Sequence, residues 1–404
     1  MQHEAELPGV AKRDLRAPAV LTQIVVLIGV CARVLLFAHS RALWMDETSL
    51  ALNIVQRSYR ELVKPLAYAQ GAPVGFLWLE KLIGSIGGYS DRSLRLLPLI
   101  AGCLALYVVG KVAAKVNEAP VAPIAAAMLA FSPFAIYFSS EVKQYSVDLL
   151  CSAVLLLLFL RFADGEASTP TVAIAVVASM WLSHPATFVV FGCLAVLGIR
   201  VYRYGDIHAR AGYVRLGIIC LLNFVLLWIL SLRALSKHGY MLAFWASDFM
   251  PRLPHTRDEF RWFSDHFLEF FANPAGLLPQ VAAVLFVIGC VSMYYRKRAA
   301  LGLILAPLWP LLFACFLHKY PLSGRLLLFL LPIVAVIVAE GVAGVARLTH
   351  SLPWRPAYGV VLVVLGAALL VPAARDRKHA QRSRGFERPR NASGARVYSG
   401  PSRA

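Results

Sequence analysis

Three short polar stretches in an otherwise apolar chain carry residue types suited to catalysis. The first is Trp44-Met45-Asp46-Glu47, a few residues beyond the first long apolar run. Adjacent carboxylates beside an aromatic anchor suit a solvated helix end, the reading that composition alone favours, and also a general base for an attacking group. The second is Ser139-Ser140-Glu141-Val142-Lys143-Gln144-Tyr145. Read as helix, it puts Glu141, Tyr145 and Asp148 on one face at i, i+4 and i+7, with Lys143 on another side. Asp148 then lies within an apolar span, where a carboxylate is either functional or paired with a nearby Lys or Arg. The third is His318-Lys319-Tyr320-Pro321-Leu322-Ser323-Gly324-Arg325, with three potential cations in a short loop. Such a loop fits an anionic ligand, and the planar fork of Arg matches phosphate oxygens. His184 sits at another tight turn, where a single His is more often structural than catalytic. Carboxylates and cations on one side of a membrane would supply a base for an acceptor and a cradle for a departing phosphate. No Gly-rich phosphate loop, Ser-His-Asp order, His-Glu-x-x-His motif or cysteine pair competes with that reading.

The elements that must position these residues are membrane helices. Of 404 residues, 59% are hydrophobic and 15% charged, and the mean hydropathy is +0.66. Soluble domains are nearer half apolar and a quarter charged. A cytosolic enzyme, a disordered chain and a disulfide scaffold are excluded. At roughly 20 residues per span, the apolar content makes an all-α polytopic membrane protein with about 11 transmembrane helices. They are expected near 17–38, 94–111, 119–138, 146–163, 170–183, 185–200, 214–233, 277–294, 299–317, 326–346 and 357–373. Residues 53–70, in the first outer loop, and 256–271 mix aromatics with charges and read as interfacial helices.

The net charge of +18 comes from 40 Lys+Arg against 22 Asp+Glu. It follows the positive-inside rule, with basic loops in the cytoplasm, and no nucleic-acid partner is expected. The outer segments are then 39–93, 139–146, 234–276 and 318–325. The seven cysteines all lie in apolar stretches and read as small buried hydrophobes. Lys12, Arg13 and Arg16 precede a first span too long for a signal peptide. Residues 1–373 read as one transmembrane domain and 374–404 as a basic, disordered tail. Its side is left open, because eleven spans put it outside against its charge. Asn391-Ala392-Ser393 matches a glycosylation sequon, a pattern usually met by chance.

The order of motifs resembles the GT-C superfamily of polytopic glycosyltransferases, in particular the bacterial protein O-mannosyltransferases and the lipid A aminoarabinose transferase. The matching pieces are Trp44-Met45-Asp46-Glu47, Gln70-Gly71-Ala72-Pro73-Val74-Gly75-Phe76, Glu80-Lys81-Leu82 and Arg95-Leu96-Leu97-Pro98. Ser132-Pro133, Glu141-Val142-Lys143-Gln144-Tyr145, Tyr320-Pro321 and Ser323-Gly324-Arg325 follow. The resemblance implies a catalytic group of Asp46 as base with Glu47 and Glu141 shaping the site, and Lys143 on a lipid-linked phosphate. Arg325 and Lys319 join Lys143 as candidate phosphate ligands, and Tyr145, His184 and His318 are candidate substrate contacts. The implied enzyme is an inverting glycosyltransferase of a bacterial inner membrane, with its site facing the periplasm. It would move a hexosyl or pentosyl unit from a polyprenyl-phosphate donor to a protein, lipid or polysaccharide acceptor. No cofactor is called for, and a divalent metal is left open. Lys143 stands where relatives commonly have Arg, and Ala72-Pro73 replaces a His-Pro-Pro or Lys-Pro-Pro type sequence. The alternative is a secondary transporter or lipid flippase, which would line a midplane path with ionisable groups.

Overall fold

In a computed structural model of the chain, the described residues are 16–39, 41–117, 121–235 and 239–349. They form an all-helical membrane bundle. Eight helical segments are long and apolar enough to cross a bilayer, and Ala122–Phe131 and Thr169–Leu182 are shorter apolar helices. Ten of the eleven expected spans therefore have a helical counterpart. The eleventh, 357–373, lies outside the described residues, as do the tail, its sequon, Lys12 and Arg13.

We number the main helices in chain order. α1 is Arg16–Ala38, α2 Met45–Gln56, α3 Val74–Gly87, α4 Leu96–Val116 and α5 Ala122–Phe131. α6 is Pro133–Phe138, α7 Tyr145–Ala163, α8 Thr169–Leu182, α9 Ala186–Tyr204 and α10 Ile207–Leu227. α11 is Arg257–Ala272, α12 Pro279–Arg296, α13 Arg298–Leu305, α14 Leu308–Phe316 and α15 Leu331–Thr349.

Two expected spans are broken, both at proline. Pro133 cannot donate to a preceding turn, so the expected 119–138 helix stops at Phe131 and restarts as α6. The Ser132 hydroxyl caps the restart by accepting from Ala135 N at 3.2 Å. Pro307 likewise divides 299–317 into α13 and α14. The expected helix over 256–271 is α11, with a Thr256–Glu259 capping box. The expected helix over 53–70 is displaced: α2 ends at Gln56, and only Glu61–Val63 makes a further helical turn before α3. Asn53 explains the difference. Its side chain donates to Ala67 O and accepts from Ala67 N at 2.9 Å, folding the chain back on α2.

The last span among the described residues lies at the centre. Gly324–Arg347 is 94% buried over its most apolar window and packs against α4, α5, α7 and α12. In lipid, apolar contact between helices carries little driving force, so close packing must hold them together. Gly289 of α12 and Gly341 of α15 permit it. A Cβ on Gly289 would fall 2.0 Å from the Ile337 carbonyl oxygen, and one on Gly341 1.9 Å from that of Leu285. At the end remote from α2, Glu340 accepts from Ser292 at 2.8 Å and pairs with Arg296 at 3.3 Å and with Arg347.

Candidate active site

Asp46 is in the first turn of α2, where the helix dipole favours a negative charge. Both its oxygens are engaged. Lys143 Nζ lies 3.0 Å from Oδ1 and Arg325 Nη1 3.0 Å from Oδ2. Gln70 Nε2 also donates to Oδ1 at 3.0 Å, while Gln70 Oε1 accepts from Lys143. Asp46, Lys143 and Gln70 thus close one hydrogen-bonded ring, and Arg325 joins it at the other oxygen of Asp46. Arg325 also lies over the Tyr145 ring, 5.7 Å from its centroid.

Local backbone chemistry aims each member. Gln70 follows Tyr68 and Ala69, whose φ values are 60° and 51°. Left-handed backbone costs non-glycine residues roughly 1–2 kcal/mol each, and such strain clusters at functional sites. Arg325 follows Gly324, φ 31°, in a one-sided turn into the 3-10 segment Gly324–Leu330 and then α15. Lys143 is on an irregular stretch, 139–144, before α7 starts at Tyr145. The single helical face expected for Glu141, Tyr145 and Asp148 therefore does not form, since Glu141 precedes the helix.

Glu47 ties these pieces together and is buried. Arg41 pairs with it at 2.8 Å and Arg95 at 2.9 Å, and Trp44 N and Val142 N each donate to it at 3.0 Å. Its two oxygens join the loop before α2, the start of α4 and the 139–144 stretch. Glu141 is buried beside it, and Oε2 has no hydrogen-bond partner among the described residues. Burial, then the nearby Glu47 charge, pushes the Glu141 pKa up to about 7 against Arg325, Arg41 and Lys143. For Asp46, burial acts upward, but Lys143, Arg325 and the hydrogen bonds from Lys143 and Gln70 hold its pKa below the ordinary carboxylate value. Burial lowers the Lys143 pKa against the pull of Asp46.

Of the other expected contacts, Tyr145 is in the cluster and three are apart from it. His184 is in the α8–α9 turn, 3.2 Å from Ser231 Oγ, and burial lowers its pKa to about 4. It lines a pocket that Gln70 also borders, so it adjoins the ring through that residue. His318 stacks on Phe249, centroids 5.1 Å apart, and lies 3.2 Å from Met250 O. Lys319 is exposed in the same loop. Gln70 was not expected as a site residue: a neutral amide carries no charge signal, although its motif formed part of the resemblance. Arg41 and Arg95 were likewise unmarked as partners of Glu47. Among the described residues no three His, Cys, Asp or Glu side chains gather as a metal site.

Residues 71–228, less than half the chain, match the family described as dolichyl-phosphate-mannose-protein mannosyltransferase. An oligosaccharyltransferase structure from Archaeoglobus fulgidus superposes with a TM-score of 0.56 at 17% identity, covering 88% of this chain and 52% of that one. AglB from the same organism, in complex with an inhibitory peptide and a dolichol-phosphate, gives 0.56 at 14%, covering 92% and 56%. ArnT from Cupriavidus metallidurans, bound to undecaprenyl phosphate, gives 0.49 at 12%, covering 92% and 73%. The chain spans about half the length of the oligosaccharyltransferases it matches. No curated protein matches it in direct sequence comparison. The bundle shares its fold with these oligosaccharyltransferases, and the match over residues 71–228 agrees with the resemblance to GT-C membrane glycosyltransferases.

Proposed function

We propose that this protein is an inverting membrane glycosyltransferase that uses a polyprenyl-phosphate-linked sugar. The carrying observation is the convergence of Asp46, Lys143 and Arg325 on one another from three distant segments. A base and two phosphate-binding cations in contact are the parts that glycosyl transfer from a lipid phosphate requires. Their clustering at one end of the bundle, where the Lys/Arg distribution puts the periplasm, favours an enzyme over a transporter with a midplane path. The dolichol-phosphate bound in the similar AglB structure supports a lipid-phosphate donor.

In this reading Asp46 takes the acceptor's proton as its oxygen or nitrogen attacks the anomeric carbon. The bond from that carbon to the phosphate oxygen breaks, and the electron pair leaves on the polyprenyl phosphate. Lys143 and Arg325 stabilise that charge. Tyr145 supports Arg325 from beneath, and Glu141 and Glu47 shape the wall. A single in-line displacement inverts the anomeric centre. The test is turnover by purified protein with a panel of polyprenyl-phosphate sugars and membrane-extract acceptors. Asp46→Asn should lower turnover by about 10²- to 10⁴-fold, the usual contribution of a positioned base, with insertion unchanged. Turnover within a few-fold of wild type would remove the base from Asp46.

A further inference from the structure

The ring around Asp46 is complete without a substrate, and that poses a chemical problem. A carboxylate that already accepts from Lys143, Arg325 and Gln70 has poor access to an acceptor's proton. The same two cations are the groups that the proposed donor phosphate needs. Asp46 and the phosphate therefore compete for one pair of ligands.

We propose that the resting site is a charge lock, in which donor binding transfers Lys143 and Arg325 from Asp46 to the phosphate and thereby frees the base, while Gln70 keeps it in place. This rests on the glycosyltransferase reading above and adds an order to it: donor first, base competent second. The geometry supports each part. Lys143 and Arg325 bind opposite oxygens of Asp46, so an anion entering between them can draw each away without crossing the other. Lys143 is held on the irregular 139–144 stretch and Arg325 just after Gly324. Gln70 is anchored differently. Its strained approach through Tyr68 and Ala69, and the Asn53 clamp on Ala67, belong to the same outer unit as α2. Its amide can thus stay on Oδ1 when the cations leave.

The exchange also changes the chemistry of Asp46. With both cations present its pKa is held down although burial acts upward. Once the cations turn to the phosphate, burial and the new anion both favour the protonated form. Asp46 becomes a stronger base only when a donor is seated. A free acceptor, or water, meets a base that is still neutralised.

The test measures binding of farnesyl phosphate to the full-length protein in detergent. Asp46→Asn removes the competing anion and keeps the shape, so it should bind roughly two- to fivefold more tightly than wild type, the scale of a partly exposed ion pair. Lys143→Ala and Arg325→Ala should bind more weakly. Equal or weaker binding by folded Asp46→Asn, with binding still lost in both cation variants, would overturn the lock and leave the donor assignment intact. Unchanged binding in both cation variants would instead overturn the donor assignment. A second measurement needs no variant: infrared difference spectra of wild type labelled with ¹³C at the aspartate carboxyls. Farnesyl phosphate should shift a carboxylate band as Asp46 loses its cations, and an unchanged spectrum at saturation would overturn the lock.

Discussion

Glu47 and Asp46 are neighbours with opposite duties, and their partners decide which is which. Glu47 is buried among two arginines and two backbone N–H groups, so it holds elements in register. Asp46 instead meets Lys143 and Arg325, the two cations that the proposed lock hands to the donor phosphate. Glu141 adds a pH dependence. Its pKa of about 7 is above the ordinary 4.5, so between these values the native state binds more protons than the unfolded chain. Stability contributed by this group is full below about 4.5 and falls as pH rises towards and past 7. Thermal unfolding of wild type in detergent should show that decline, and Glu141→Gln, which cannot ionise, should flatten it. Identical pH slopes in the two proteins would show that Glu141 titrates normally. Asp46, Lys143 and Arg325 were legible in the sequence because charge is rare in an apolar chain. Gln70 was not, since its role depends on a backbone turn and on a lysine 73 residues away. His318 and Lys319 were grouped with Arg325 by adjacency, and the turn at Gly324 separates them.

At the scale of elements, spans were legible because membrane thickness sets a length that any apolar run must meet. Proline breaks and the fold-back of 57–73 were missed for different reasons. Pro133 and Pro307 are local signals that apolar continuity masked. The end of α2 depends on Asn53 reaching Ala67, which periodicity does not register. The contact between α12 and α15 is the element most sensitive to a small change. Gly341→Ala puts a methyl against the Leu285 backbone, a place with no room. Overpacking of this kind costs about 1–3 kcal/mol, and the melting temperature in detergent should fall accordingly. An unchanged melting temperature would mean that the two helices separate freely.

For the whole molecule, the positive-inside rule applied to the excess of Lys and Arg predicts that the site's end of the bundle faces outside. Accessibility labelling should find a cysteine at position 258 reachable from outside in intact cells, and one at position 297 shielded. The reverse pattern would invert the topology and move the site to the cytoplasm. The architecture also separates stability from chemistry: Gly-mediated packing and the Glu340 cluster lie within the spans, whereas the ring lies at their ends.

Asp46 and Arg325 are 279 residues apart in the chain. A ribosome therefore releases Asp46 and Lys143 long before their last partner exists. During synthesis the growing protein holds a lysine and a carboxylate with one cation missing, and its central helix has not yet been made. The second oxygen of Asp46 gains its cation only when Arg325 arrives at the head of that helix. Pairing of the second Asp46 oxygen thus coincides with completion of the core.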